Sequence, residues 1–221
     1  MNKTSRLLLI ALSLASASLF AQPPGGQPPA PGGPGGMRGG GRGVGIQTGV
    51  SSRTSPHETI SANINNRVVS ITYGRPYSKA PKSTEIRKIW GTLVPWGQAW
   101  RLGADEATLL LTPVDLVLGG SVTVPAGAYT LYMMPVENGA SQLVFSKNVG
   151  KWGIPVDTAS DVAKVDLKKS ALSPANDQLT LAVQSAPVAA PAAGAAPANP
   201  TVTLRIMWEA TEYSVDFAVK Q

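Results

Sequence analysis

The sequence has no cysteine and a single histidine, His57, among its 221 residues. Without cysteine the chain forms no disulfide and offers neither a thiolate metal ligand nor a thiol nucleophile. One histidine cannot complete a zinc site of ordinary ligand number, and its HETIS context is not an HExxH motif. A GxSxG motif that would supply a serine nucleophile is also lacking. We therefore predict no metal, no cofactor and no catalytic residue, and we interpret His57 as a solvated loop residue.

Long apolar runs are equally scarce. The clearest one, residues 7–14, is well short of the roughly 20 residues that a membrane-spanning helix needs. It follows Lys3 and Arg6 and precedes small residues, which is the order of a secretory signal peptide. No cysteine lies near the cleavage region to carry a lipid. We therefore predict a signal peptide at residues 1–21, no transmembrane span or lipid anchor, and a periplasmic or extracellular mature protein.

Charged residues are few, at 14% of the chain, and the formal net charge is +6. Such a charge favours an anionic partner only if it is concentrated in the folded part. All thirteen acidic residues lie from Glu58 onward, together with fourteen of the nineteen basic ones, so that part is nearly neutral. Lys82, Arg87 and Lys88 form a modest basic cluster that we interpret as solvated surface. A nucleic-acid partner is not expected.

Two segments are biased towards small residues and proline. Residues 22–54 are largely Gly and Pro, and residues 186–200 are largely Ala and Pro. Neither segment can bury enough apolar surface to offset the entropy of ordering it, so both are predicted to be disordered. We interpret the first as a linker and the second as an insertion in a hairpin loop. Residues 55–221 then form a single domain.

After the linker, apolar and polar residues alternate with a period of two, which is typical of half-buried strands. The alternation is clearest in residues 202–208 and 213–219, which are predicted to form a hairpin with Glu209 and Glu212 in its turn. No window keeps a helical period for long. We predict an all-β fold, an antiparallel β-sandwich or partly closed barrel of about nine strands, with one or two short helical turns at residues 83–90 and 97–102.

Three of the five tryptophans lie in one stretch, residues 89–108, together with Arg101, Asp105 and Glu106. This density allows two interpretations. Arg101 and Glu106 could lie at the floor of a cleft, with Trp96 or Trp100 as a flat wall for a sugar or another planar ligand. The same residues could instead form an internal Arg101–Glu106 bridge capped by aromatics. The second interpretation is favoured, because buried aromatic residues and paired arginines more often stabilise turns and connections of the fold than bind ligands.

Several motifs in order resemble the bacterial exported family called domain of unknown function 2911. They are Ser55-Pro56, VSITYGRP from Val69, IWGTLVPWG from Ile89, and WRLGADEAT from Trp100, followed by AGAYTL and Trp152-Gly153. The resemblance runs from about Ser55 to the carboxyl end and departs from the family at Asp105, where Asn is more usual. It implies an exported β-rich domain and supplies no activity, no cofactor and no catalytic residue.

Seven residues are candidate ligand contacts, and two of them, Asp105 and Glu106, are carboxylates. Because these two are adjacent, an extended chain points their side chains to opposite faces, whereas a glycosidase needs two carboxylates facing one bond. We therefore predict a non-enzymatic binding or structural module of the cell envelope. A small-molecule or carbohydrate-binding domain with its pocket in the tryptophan-rich stretch is the alternative, and a carboxylate-based hydrolase is third. The candidates are Tyr73, Arg75, Trp96, Trp100, Arg101, Asp105 and Glu106.

Overall fold

The structure, a computed structural model, describes residues 53–185 and 200–220. The predicted signal peptide, nearly all of the predicted linker and the predicted insertion except Pro200 lie outside these residues. The described part contains nine strands and no helix. They are β1 (His57–Ile64), β2 (Arg67–Gly74), β3 (Thr108–Thr112), β4 (Leu116–Leu118), β5 (Val122–Val124), β6 (Gly127–Met134), β7 (Ser141–Ser146), β8 (Asp161–Ser185) and β9 (Val202–Val219).

Every strand pair is antiparallel, in the order β1-β2-β3-β6-β7-β8-β9-β4-β5. β1 and β5 are the two ends of this order, so the sheet is not closed into a barrel. The apolar faces of most of the strands meet in one hydrophobic cluster, as the alternation of the sequence requires. The all-β, sandwich-like antiparallel fold is therefore confirmed. Among the described residues, no helix is long and apolar enough to cross a membrane.

The predicted helical turns are wrong. In the first, Lys79 forms a β-bridge with Ile86, and the backbone N–H of Ala80 donates to the carbonyl of Glu85 at 3.0 Å. These contacts fold residues 79–86 back on themselves, so their amides pair across a turn instead of along a helix. In the second, Leu102 has a left-handed φ of 55°, which a right-handed helix excludes.

β9 doubles back within its own length. The hydroxyl of Thr203 donates to Asp216 Oδ1 at 2.7 Å, although a straight strand rising about 3.3 Å per residue would hold these residues far apart. The chain reverses near Glu209, whose φ of 51° is left-handed. The predicted hairpin of residues 202–208 with 213–219 is thus confirmed, with Glu209 at its turn.

β8 borders both arms of this hairpin. Residues 168–171 pair with residues 211–214, and residues 180–185 pair with residues 202–207. Between these ladders the register shifts twice, because β8 takes the longer path around the hairpin's tip. The alternating runs of residues 165–167 and 179–183 both belong to β8, one before and one after its path around the tip.

An ion pair joins the two arms of the β9 hairpin. Arg205 donates from Nε to Glu212 Oε1 at 2.7 Å and from Nη2 to Oε2 at 2.5 Å. Such two-point pairing is the strong geometry for guanidinium and carboxylate. The hydrogen bonds from Arg205 lower the pKa of Glu212, with its positive charge adding to them and burial opposing both.

Replacing Glu212 with glutamine is predicted to lower the free energy of unfolding by about 0.5–1 kcal/mol at neutral pH, as for partly exposed ion pairs. Because the pKa of Glu212 is lower in the folded protein, the stabilisation is complete above the ordinary carboxyl pKa and is lost as the pH falls through the lowered folded value. In urea denaturation, the difference between Glu212→Gln and the parent should be constant above about pH 5 and shrink below it. A difference that grows on acidification would contradict this.

Candidate functional site

The connection between β2 and β3, residues 75–107, is packed onto the sandwich although it contains no strand of the sheet. Trp100 and Met133 exchange two backbone hydrogen bonds of 2.8 Å, and the N–H of Gly97 donates to Pro135 at 2.7 Å. Ile89 and Leu102 are fully buried in the hydrophobic cluster. Apolar burial and β6 therefore fix the position of this connection.

Four tryptophans and one tyrosine form an aromatic cluster, defined here as Trp90, Trp96, Trp100, Trp208 and Tyr213. Trp90 is at its centre, parallel to Trp96 at 6.1 Å, edge-on to Trp100 at 6.0 Å and 5.2 Å from Tyr213 between ring centroids. Trp100 also stacks on Trp208 at 6.0 Å. Such pairs contribute about 0.5–1.5 kcal/mol each beyond area burial, so the cluster attaches the connection firmly to β9.

Arg101 does not form the predicted bridge with Glu106. Its guanidinium donates to three backbone carbonyls, those of Gly103 at 3.3 Å, Asp105 at 2.7 Å and Trp152 at 3.2 Å. Burial lowers the pKa of Arg101, and the negative charges of Asp105 and Glu106 oppose that effect. Arg101 therefore joins the connection to the segment between β7 and β8.

The backbone explains why the bridge prediction is wrong. Leu102 and Asp105 have left-handed φ values of 55° and 63°, so residues 101–106 curl tightly. This curl brings carbonyl oxygens to the guanidinium. The carboxylates of Asp105 and Glu106 face the chain that precedes β1 instead.

Residues 53–57, called here the amino-terminal strap, are held by Asp105. The Asp105 carboxylate, on a residue only 4% exposed, accepts from the backbone N–H groups of Thr54 at 3.2 Å and Ser55 at 3.0 Å, and from the Thr54 hydroxyl at 3.3 Å. The strap is thereby fixed against the tryptophan-rich connection.

Glu106 holds the same strap through an ion pair with Arg53 and a contact with the His57 ring. Its carboxylate lies 2.7 Å from Arg53 Nε and 2.8 Å from His57 Nε2. Burial opposes ionisation of Glu106, but hydrogen bonds from Arg53 and the backbone and the charges of Arg53 and His57 lower its pKa. The interpretation of His57 as a solvated loop residue is wrong, because His57 begins β1 and its side chain is 16% exposed.

Tyr73 and Arg75 belong to a separate polar group that joins the first hairpin to β8. The Tyr73 hydroxyl donates to Glu58 at 2.8 Å and accepts from the N–H of Leu181 at 2.8 Å, and burial raises its pKa. Arg75 lies 3.2 Å from Glu58 and donates to the Thr180 hydroxyl at 3.0 Å. Both side chains are therefore occupied in holding the first hairpin against β8.

A cleft of about 700 Å³ lies beside the aromatic cluster. Of the seven candidate residues, Trp100 and Arg101 line it. Trp96 stacks on Trp90 and does not line the cleft, and the other four make the contacts described above. Trp208 lines it as well. The remaining walls come from the strap, from residues 76–95 and from residues 153–156.

The cleft combines an apolar rim with positive charge. Tyr77, Leu93 and Ile154 line it while 46%, 41% and 62% exposed. Its charged lining residues are Lys79, Lys82, Arg87 and Arg101, and none of the described residues that line it is acidic. Elsewhere in the described part, no group of three or more acidic or histidine side chains is close enough to hold a metal ion.

Sequence reasoning found Trp100 and Arg101 but missed the rest of this lining. Lys82 and Arg87 were visible only as a basic cluster and interpreted as solvated surface. Ile154 carried no signal, because it reaches the cleft from a segment far along the chain.

A family described as "Protein of unknown function (DUF2911)" matches residues 55–217. The chain belongs to the DUF2911 family. The DUF2911 match includes all strands through most of β9 and every element of the cleft except Thr54. No curated protein and no solved structure matches the chain. Asp105, where the resemblance implies that Asn is more usual, acts here as an acceptor for two backbone N–H groups and a hydroxyl. This role does not need the amide donor of Asn, and the left-handed φ of Asp105 suits either residue.

Proposed function

We propose that this DUF2911 chain is an exported, non-enzymatic module that binds a small molecule in the cleft beside the aromatic cluster. The observation that carries the proposal is the cleft of about 700 Å³ with apolar walls. Small-molecule sites fall in the range of roughly 300–1,000 Å³ and combine apolar walls with a few polar groups. The order of charge, apolar run and small residues at the amino end supports export.

The exposed apolar rim supports binding over a purely structural role. Tyr77, Leu93 and Ile154 would be covered by the burial of a ligand, whereas the aromatic cluster already holds the fold without them. Exposed apolar groups gathered at one concave place favour an interaction site. Trp100, stacked on the buried Trp208, offers a preformed wall that loses little entropy on binding.

The carboxylates near the cleft support binding over hydrolysis. Asp105 is occupied by Thr54 and Ser55, and Glu106 by Arg53 and His57. A carboxylate-based hydrolase would need two such groups facing one bond of the substrate.

The neutral fluorophore N-phenyl-1-naphthylamine tests this function. Binding in the cleft should raise its emission, and the double variant Leu93→Ala/Ile154→Ala should weaken its affinity about tenfold, because each truncation removes apolar contact area. The matched control is Leu111→Ala/Ile86→Ala, a leucine and an isoleucine that are 46% and 67% exposed and do not line the cleft. It should bind as the parent does. Equal affinities for the two double variants, or no saturable binding by the parent, would rule out the cleft as the site.

A further inference from the structure

The charge in the cleft is of one sign. Four cationic side chains line it, and none of the lining residues that the structure describes is a carboxylate. This contrasts with the folded part as a whole, where acidic and basic residues nearly balance. A concave surface with unbalanced charge attracts ligands of the opposite charge.

Two of the four cationic side chains, Lys79 and Lys82, have no carboxylate partner among the described residues. Both are held on the turn of residues 78–87, where the N–H of Arg87 donates to Ser78 at 3.0 Å and the N–H of Ser83 donates to Ala80 at 3.1 Å. The turn therefore presents the two ammonium groups from a hydrogen-bonded backbone.

The two arginines differ in what they could offer a ligand. Arg87 donates from Nε to the carbonyl of Ser78 at 3.3 Å and from Nη2 to that of Tyr77 at 2.5 Å, so its carbonyl partners leave the positive charge unneutralised. Arg101 is partly neutralised by Asp105 and Glu106, whose charges act on it. Three of the four cationic lining residues, Lys79, Lys82 and Arg87, lie on the side of the cleft formed by residues 78–87.

We infer that the ligand of this cleft is a small amphipathic anion. Its apolar body lies against Leu93, Trp100 and Ile154, and its carboxylate, sulfate or phosphate faces Lys79 and Lys82. This inference rests on the proposed binding function and specifies the chemistry of its ligand. A neutral polyhydroxy ligand fits less well, because it would leave the ammonium groups of Lys79 and Lys82 without a counter-charge.

Two probes that share one ring system test the inference. 8-Anilinonaphthalene-1-sulfonate carries a sulfonate that N-phenyl-1-naphthylamine lacks. The parent should bind the sulfonate probe about five- to tenfold more tightly, as two partly exposed ion pairs allow. This advantage should shrink when salt is raised from about 0.1 M to 1 M, because the screening length falls from about 10 Å to 3 Å.

The double variant Lys79→Gln/Lys82→Gln should remove most of this advantage and leave the affinity for the neutral probe unchanged. Its control is Lys88→Gln/Lys220→Gln, which makes the same change in net charge at exposed lysines outside the cleft. Equal affinities of the parent for both probes, with no effect of the Lys79/Lys82 substitutions, would overturn the anion inference and leave the binding function standing. Sulfonate affinity that the Leu93/Ile154 variant leaves unchanged would overturn the binding function itself.

The anion is a free molecule and not part of a membrane surface, because a cleft of about 700 Å³ is large enough to take up a whole small ligand. Displacement of the sulfonate probe by octanoate below its micelle concentration, and not by phosphatidylglycerol vesicles, is the expected result. Displacement by the vesicles alone would overturn the free ligand in favour of a lipid headgroup.

Discussion

Replacing Trp208 with alanine is expected to lower the free energy of unfolding by about 3–5 kcal/mol, the range for removing a large buried aromatic. Trp208 is 1% exposed and stacks on Trp100 at 6.0 Å. Its carbonyl also accepts from Trp90 Nε1 at 3.4 Å, so the cavity would open where the connection meets β9. Urea denaturation followed by circular dichroism measures the loss.

Two controls separate packing from other effects of the Trp208 substitution. Trp208→Phe should cost much less, because Trp208 Nε1 has no hydrogen-bond partner among the described residues and phenylalanine keeps most of the burial. Trp152→Ala, at a tryptophan that is 41% exposed, should change stability little. Equal losses for Trp208→Ala and Trp152→Ala would contradict the stabilising role of the buried Trp208 in the aromatic cluster.

Gly74→Ala is the second substitution with a large expected effect, about 3 kcal/mol or more. An added Cβ would lie 2.1 Å from the carbonyl oxygen of Ala104, and that atom belongs to the backbone. The two segments are already joined there, because the N–H of Ala104 donates to Gly74 at 3.3 Å. The end of β2 and the wall of the cleft cross so closely that only glycine fits.

Gly120→Ala is the matched control for Gly74→Ala. Gly120 has a left-handed φ of 80° but nothing within 4 Å of an added Cβ, so its substitution costs only the conformational strain of about 1 kcal/mol. A melting temperature for Gly74→Ala that equals the parent's would show that β2 and residue 104 do not cross as described.

The alternation of residues predicted the sheet but not its edges. Residues 202–208 and 213–219 carry a strong period of two because both arms bury one face against the core. β1 was missed, since its first three residues are polar or charged and the strand reads as loop around His57. β4 and β5 have three residues each, too few for a period to be recognised.

The candidate site was predictable in its centre only. The density of tryptophan and charge in residues 89–108 correctly marked a place where a connection packs onto the sandwich. The partners of Arg101 and Glu106 were not predictable, because they depend on left-handed φ values at Leu102 and Asp105. Such values are uncommon for residues other than glycine and are rarely recognisable from the sequence. The cleft itself unites residues 76–82, 99–104 and 153–156, and no local pattern connects them.

The aromatic cluster stabilises the fold and also forms part of the wall of the cleft. Trp100 and Trp208 are packed against the core and also line the cleft, so truncating either would confound binding with folding. Leu93, Ile154, Lys79 and Lys82 are the better probes of function. They lie at the exposed rim, where substitution would remove contact with the proposed ligand and cost the fold little.

Amide chemical-shift mapping with 8-anilinonaphthalene-1-sulfonate on the ¹⁵N-labelled protein would locate the proposed ligand site residue by residue. We expect saturable shifts that are largest at Tyr77, Lys79, Trp100 and Ile154 and small along β4. Largest shifts along β4, or shifts that do not saturate, would contradict a ligand site between the tryptophan-rich connection and residues 153–156.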